Sequence, residues 1–355
     1  MHLLILLIQQ MKDKLRFEVN DTQGRFIFPE TWFNTLIDEF EELVEAYDAE
    51  KICGKNYISE LQRLTEQVPD FIDAYAHLAY VFLEQNAPHQ ALDMALKGLA
   101  VGNRLITEGF NGEILWIYPE NQPYLRALYA TILANIHLQH HQDAVILTDK
   151  ILTYNPEDNQ AARWLLGPEL LRAGERDRAF RVLTRYSDEF SPYWYELGFL
   201  LFLNGEFVKA ATAFRHGFAT NIYIADILCG NLHPFPLPLW HSFSGGPDIA
   251  EDYYATYGLF WGQYPEALLF VNWLYNQSSV LNERATIIKC AEALLREDDY
   301  EACEKILKEQ KRLQDNIDDR ISEKIVRKYR TLQGDEIWPW MLPFSIDKEL
   351  SPFDE

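Results

Sequence analysis

With 355 residues, 48% of them apolar, the chain has material for one elongated repeat domain or two compact ones, and disorder is not expected. Its 54 acidic and 32 basic residues leave a formal charge of -22, so the mean surface field repels phosphate backbones and anionic headgroups; neither nucleic acid nor a membrane is expected as partner. Cys53, Cys229, Cys290 and Cys303 form no C-x-x-C pair and are too few for a disulfide framework, which suits a reducing cytoplasm.

The opening Met1 to Ile8 is apolar but far shorter than the roughly 20 residues of a spanning helix. It lacks a basic flank and a small-residue cleavage site. It reads as a packing segment or as residues ahead of a true start at Met11. Residues 1–30 are expected to form a hairpin or irregular cap, because Leu15, Phe17 and Val19 alternate, then Phe26, Ile27 and Phe28 follow the breakers Asn20-Asp21 and Gly24. After Pro29, the positions Trp32, Phe33, Leu36, Ile37, Phe40, Leu43, Val44 and Tyr47 follow the i, i+3, i+4, i+7 rule of an amphipathic helix. Asp38, Glu39, Glu41, Glu42 and Glu45 take its wet side. A second helix, Tyr57 to Val68, stops at Pro69.

From there small residues index helix pairs. Ala79 and Ala91 stand twelve positions apart, and so do Gly167 and Ala179, then Gly198 and Ala210; a weaker pair is carried by Leu128, Ile132, Asn135 and Ala144. Gly174 and Gly205 fall in the turns, and Trp194 opens the fourth pair. Two antiparallel helices joined by a tight turn approach closely where Ala or Gly faces Ala, while Leu, Phe and Trp fill the space around. One pair cannot bury its apolar stripe, so such pairs stack in arrays. The long interval from Ala91 to Ala144 predicts a longer helix or an inserted loop over Asn103 to Pro123.

The array is expected over 31–228. Residues 229–247, with Pro234, Pro236 and Pro238 alternating with apolar residues, cannot be helical and read as an extended, polyproline-like strap. Residues 248–333 are expected to extend the helical array with Ile249 to Trp261, Pro265 to Tyr275, Ala285 to Arg296, Tyr300 to Leu313 and Asp318 to Leu332. Residues 334–355 form an extended aromatic tail, Ile337-Trp338-Pro339-Trp340-Met341-Leu342-Pro343-Phe344.

Trp194, Leu197, Gly198, Leu201, Gly205, Ala210 and Phe214 resemble the tetratricopeptide repeat signature position by position, and the third pair matches nearly as well. The second pair departs from it, lacking the Leu-Gly. Tyr154 to Gln160, Leu165 to Leu171 and Tyr193 to Leu203 look like a family of stand-alone bacterial tetratricopeptide proteins, some labelled similar to the suppressor of tumorigenicity 7 protein. That family has no assigned activity.

The resemblance implies an all-α chain, a right-handed superhelix of antiparallel helix pairs whose first helices line a concave face. On that register the inward, partner-binding residues are His77, Tyr80, Arg126, Tyr129, Leu133, Trp164, Leu165, Arg172, Tyr195, Glu196, Phe199 and Phe202. Leu133, Phe199 and Phe202 read equally well as core. Ala76, His77, Trp164 and Tyr195 stand where a carboxylate clamp needs Lys and Asn, so an apolar and basic segment is the expected partner.

His137, His140 and His141 have metal-like spacing, but no Glu or Cys stands near them in the sequence, so a solvated turn is the favoured reading over a metal site. No phosphate-loop, dinucleotide, zincin or nucleophile-elbow string occurs. The expected function is a cytoplasmic, non-enzymatic interaction scaffold without cofactor. A chaperone or adaptor of a secretion or defence operon, an RNA-binding helical repeat and a metal-dependent enzyme are the competing readings.

Overall fold

A computed structural model describes residues 14–33, 35–330 and 334–342, and their regular structure is almost entirely helical. Packing divides the chain into two compact units, Met1–Gly174 and Glu175–Glu355, and the boundary falls inside the third expected helix pair. The apolar opening and the end of the aromatic tail lie outside the described residues.

In the first unit the expected hairpin forms from β1 (Arg16–Asn20) and β2 (Gln23–Ile27), joined antiparallel through Asp21, which takes φ 52°. The helix expected from Trp32 starts only at Leu36, because Glu30–Trp32 forms a short 3-10 turn after Pro29. There follow α1 (Leu36–Asp48), α2 (Gly54–Gln67), α3 (Ile72–Glu84), α4 (Pro88–Leu105), α5 (Gln122–His137), α6 (His141–Tyr154) and α7 (Arg163–Arg172). The long interval holds both expected features: α4 runs to Leu105, and irregular chain fills the space up to Pro119.

That irregular chain fastens the hairpin. Gly24 N donates to Glu113 O at 2.7 Å and Glu113 N to Thr22 O at 2.8 Å. The buried Asn121 amide accepts from Phe26 N at 2.9 Å and donates to Gly24 O and Leu115 O at 3.3 and 3.0 Å, so its polar atoms satisfy backbone that the two-stranded sheet leaves unpaired.

The second unit contains α8 (Arg176–Tyr186), α9 (Pro192–Leu203), α10 (Phe207–Thr220), α11 (Ile222–Leu228), α12 (Pro247–Gly262), α13 (Pro265–Tyr275), α14 (Ser278–Arg296), α15 (Tyr300–Asp315) and α16 (Asp319–Ile325). Proline occupies the first turn of α4, α5, α9, α12 and α13, where its fixed φ suits a helix start and its missing N–H is not needed. No helix lies between Leu228 and Pro247, as the alternating prolines require. Asn221 does two jobs there: its Oδ1 caps α11 by accepting from Tyr223 N and Ile224 N, and its Nδ2 donates to Ser244 O and Gly246 O at 2.9 Å.

Two expectations for the C-terminal part are corrected. The helix expected over Asp318 to Leu332 ends at Ile325, since β3 (Tyr329–Arg330) turns back through Gly334 at φ 94° to pair with β4 (Glu336–Ile337). The tail is not simply extended: Pro339–Met341 forms a 3-10 turn that seats the buried Trp340 ring 4.6 Å from Phe270 and 5.2 Å from Phe207.

A shared turn explains the repeating pattern. The residue two positions past the helix end is left-handed after α1 (Glu50), α3 (Asn86), α5 (Gln139), α7 (Gly174), α9 (Gly205) and α11 (Gly230). A bond spanning six residues closes several of these ends, as from Ala87 N to Phe82 O, His140 N to Asn135 O and Glu206 N to Leu201 O at 2.8 to 2.9 Å. Glycine is thus one of several residues used there: Asn86 takes the same conformation in the first pair and Gln139 in the weaker one.

Ala79, Ala91, Ala144, Gly167, Ala179, Gly198 and Ala210 are buried, and Trp194 is half-buried with its ring stacked 4.2 Å from His216. The glycines admit rings more than they meet alanines. A Cβ on Gly198 would stand 2.8 Å from the Phe214 ring, and one on Gly217 would stand 2.9 Å from Tyr195, so α9 and α10 exchange an aromatic for a glycine in both directions.

Candidate functional site

Within the first unit a groove of about 640 Å³ opens between the segment after β2, α1, α3 and the start of α5. Phe28, Phe33, Phe40 and Phe71 supply its apolar walls, and α1 lays Asp38, Glu41 and Glu45 along its rim on the exposed side of the amphipathic helix.

Charged groups form its floor. Arg126 Nη1 meets Asp73 Oδ2 at 2.7 Å, Nη2 donates to Gln122 Oε1 at 2.9 Å, and the guanidinium lies 5.5 Å over the Trp116 ring. His77 shares a hydrogen bond with the Tyr57 hydroxyl at 2.8 Å through Nδ1, stands edge-on to Phe40 at 5.0 Å, and keeps Nε2 3.9 Å from Asp73 Oδ1. Burial lowers the His77 pKa from the usual histidine value; Asp73 opposes this and Arg126 adds to it.

Two carboxylates in the groove keep an oxygen with no donor. Asp73 spends Oδ2 on Arg126 while its Oδ1 is buried and accepts no hydrogen bond. Glu120 spends Oε1 on Arg25 at 2.7 Å while its Oε2 is likewise buried and unbonded. A buried acceptor without a donor costs about 1–3 kcal/mol, more when charged, and the two carboxylates give the groove wall a negative field that favours a cation.

The structure brings together only part of the expected inward set. His77 and Arg126 line this groove, and Tyr80 stands behind it with its hydroxyl donating to Arg126 O at 3.1 Å. Tyr129, Trp164 and Arg172 do not line it. Burial pushes the Tyr129 hydroxyl up to about 12, Trp164 lies under the Arg163 guanidinium at 5.8 Å, and Arg172 Nη1 donates to Pro168 O at 2.9 Å.

Tyr195, Glu196 and Phe199 are core, which corrects the open-face place of Tyr195 and Glu196 and agrees with the core alternative for Phe199. All three are fully buried in the second unit. The Tyr195 hydroxyl donates to Asn221 O at 2.5 Å, Glu196 Oε1 accepts from the Tyr253 hydroxyl at 2.6 Å, and Phe199 packs 4.5 Å from Trp261. The cause is α12, which covers the side of α9 that the repeat register leaves open. Phe202 is also buried, whereas Leu133 and Leu165 are half-buried.

Of the three turn histidines, His137 and His140 are exposed, and His140 Nδ1 approaches Asn135 Oδ1 at 3.2 Å. His141 does find a carboxylate, because the fold brings the buried Glu169 to 2.8 Å from its Nδ1. Among the described residues no three His, Cys, Asp or Glu side chains are grouped closely enough to hold a metal ion. No helix of the described residues is long and apolar enough to cross a membrane.

The sequence reading missed Asp73, Glu120 and the phenylalanines of the groove. The acidic stripe Asp38, Glu41 and Glu45 was visible as a wet face, and Asp73 stands one helical turn before His77; the contribution of Glu120 depends on the inserted segment and had no local signal. No protein-family model matches the chain, and no characterised protein matches it in sequence.

Proposed function

We propose that this chain is a non-enzymatic binding protein of the tetratricopeptide type, needing no cofactor, whose first-unit groove takes a protein segment carrying apolar and basic side chains. The groove itself carries the reading: phenylalanine walls, two buried carboxylate oxygens lacking donors, and three rim acids that make no ion pair among the described residues. Phe28, Phe33, Phe40 and Phe71 suit apolar side chains, and Asp73 and Glu120 suit a Lys or Arg head. The recurring left-handed turn after the first helix of each pair supports the solenoid reading. The acidic charge and the undisulfided cysteines favour a cytoplasmic setting.

The test is fluorescence anisotropy with a short labelled peptide of alternating Lys and Leu, set against its Glu-for-Lys counterpart. Binding of the basic peptide alone, weakened about tenfold or more by Glu41→Lys with Glu45→Lys and by Asp73→Asn, is the expected result. Equal binding of both peptides, or affinity unchanged in the variants, overturns the assignment.

A further inference from the structure

The second unit holds another cavity, of about 440 Å³, between the proline-rich strap, the end of α10 and the facing sides of α14 and α15. The strap roofs it and is pinned from several directions. Trp240 N donates to Ala291 O at 3.1 Å, the Tyr223 hydroxyl bonds His241 Nε2 at 2.8 Å, and Asn221 holds Ser244 O and Gly246 O. The cavity is therefore preformed, with Phe218, Leu239 and Ile287 among its apolar walls.

One cation in it lacks a counter-ion. Arg284 lines the cavity with its guanidinium stacked 3.7 Å over the Tyr275 ring, its Nη1 is enclosed and donates no hydrogen bond, and the side chain makes no ion pair among the described residues. The acid on the Tyr275 side, Asp226, already accepts from the Tyr275 hydroxyl at 2.5 Å. The fully buried arginine of this unit is answered: Arg215 has both oxygens of Glu283. An arginine without an ion pair, on a cavity whose other walls are largely apolar, calls for an anion that also has an apolar body.

At the mouth, Asp188 and Glu189 are exposed, and Lys311 stands 3.9 Å from Asp188. Those acids disfavour polyanions such as nucleotides. We infer that the cavity under the strap is a binding site for a small amphipathic monocarboxylate, with the carboxylate on Arg284 and the apolar body between the strap and α14. The inference is independent of the first-unit groove.

Isothermal titration calorimetry on the full chain tests it with decanoate below its micelle concentration, decan-1-ol and inorganic phosphate. Decanoate is expected to bind with about one site per chain, the alcohol about ten- to a hundredfold more weakly, and phosphate not at all. Arg284→Gln should bring decanoate down to the level of the alcohol while leaving the alcohol unchanged. Ile288→Trp, which fills the cavity and keeps Arg284, should abolish decanoate binding and decides the matter if Arg284→Gln does not fold. The inference is overturned if decanoate fails to bind, if it binds no better than the alcohol or phosphate, or if either folded variant retains it.

Discussion

Arg215 and Glu283 form a two-point ion pair in the second unit, with Nε to Oε2 at 2.8 Å and Nη2 to Oε1 at 2.6 Å around a guanidinium whose side chain is fully buried. Arg215 Nη1 also donates to Asp318 O at 2.7 Å and Ser322 Oγ at 2.9 Å, so one side chain joins α10, α14 and the start of α16. Glu283→Ala leaves that charge half-answered. Because the Glu283 side chain is 18% exposed, the expected loss is about 2–4 kcal/mol, below the upper range for a fully buried pair. Urea denaturation measures it, and Arg215→Met with Glu283→Leu should recover a large part.

The glycine-for-ring exchange between α9 and α10 gives a contrasting pair of substitutions. Gly198→Ala places a methyl 2.8 Å from the Phe214 ring and should cost about 1–3 kcal/mol despite alanine's better helix propensity. Gly262→Ala meets nothing within 4 Å and should be neutral or stabilising by up to about 1 kcal/mol. Thermal melts that rank the two the other way would remove the packing argument.

Gln139 occupies a left-handed position, φ 61°, that Gly174 and Gly205 fill at the matching turns. Gln139→Gly is therefore expected to raise stability by about 0.5–1.5 kcal/mol, because the Cβ no longer crowds its own carbonyl. A lowered urea midpoint in this variant contradicts the turn assignment.

Acidification should destabilise the chain through its half-buried histidines His77 and His216. Burial lowers the pKa of His77 and of His216 below the ordinary histidine value of about 6.5, so the folded state takes up protons less readily than the unfolded one. Their stabilising contribution is present above pH 6.5 and is lost as pH falls through the depressed folded values. The urea midpoint should drop between pH 7 and pH 5, and His77→Gln should make that drop shallower. A midpoint that rises on acidification is the contrary outcome.

Local signals in the chain were read well where one residue decides a local conformation. The alternating Pro234, Pro236 and Pro238 forbade a helix, and Pro265 to Tyr275 became α13 over that very range. Reading failed where a distant element decides. The register put Tyr195 and Glu196 on an open face, yet apolar residues stand on nearly every side of α9, and a helix of that kind is buried almost all round. The contact of His141 with Glu169, and the roles of Glu120 and Arg284, arise between residues far apart in the chain and leave no periodicity behind.

The dependence of the hairpin on Asn121 has a consequence for biosynthesis. Phe26 N finds its acceptor 95 positions downstream, so the strands leave the ribosome long before the side chain that completes their bonding exists. At ordinary elongation rates that delay is on the order of 5–20 s. For that time β1 and β2 are a bare two-stranded ribbon, too small to persist alone, and the N-terminal Phe17 and Phe26 rings wait uncovered. A nascent chain stalled before Asn121 thus leaves that ribbon without the side chain that completes its bonding.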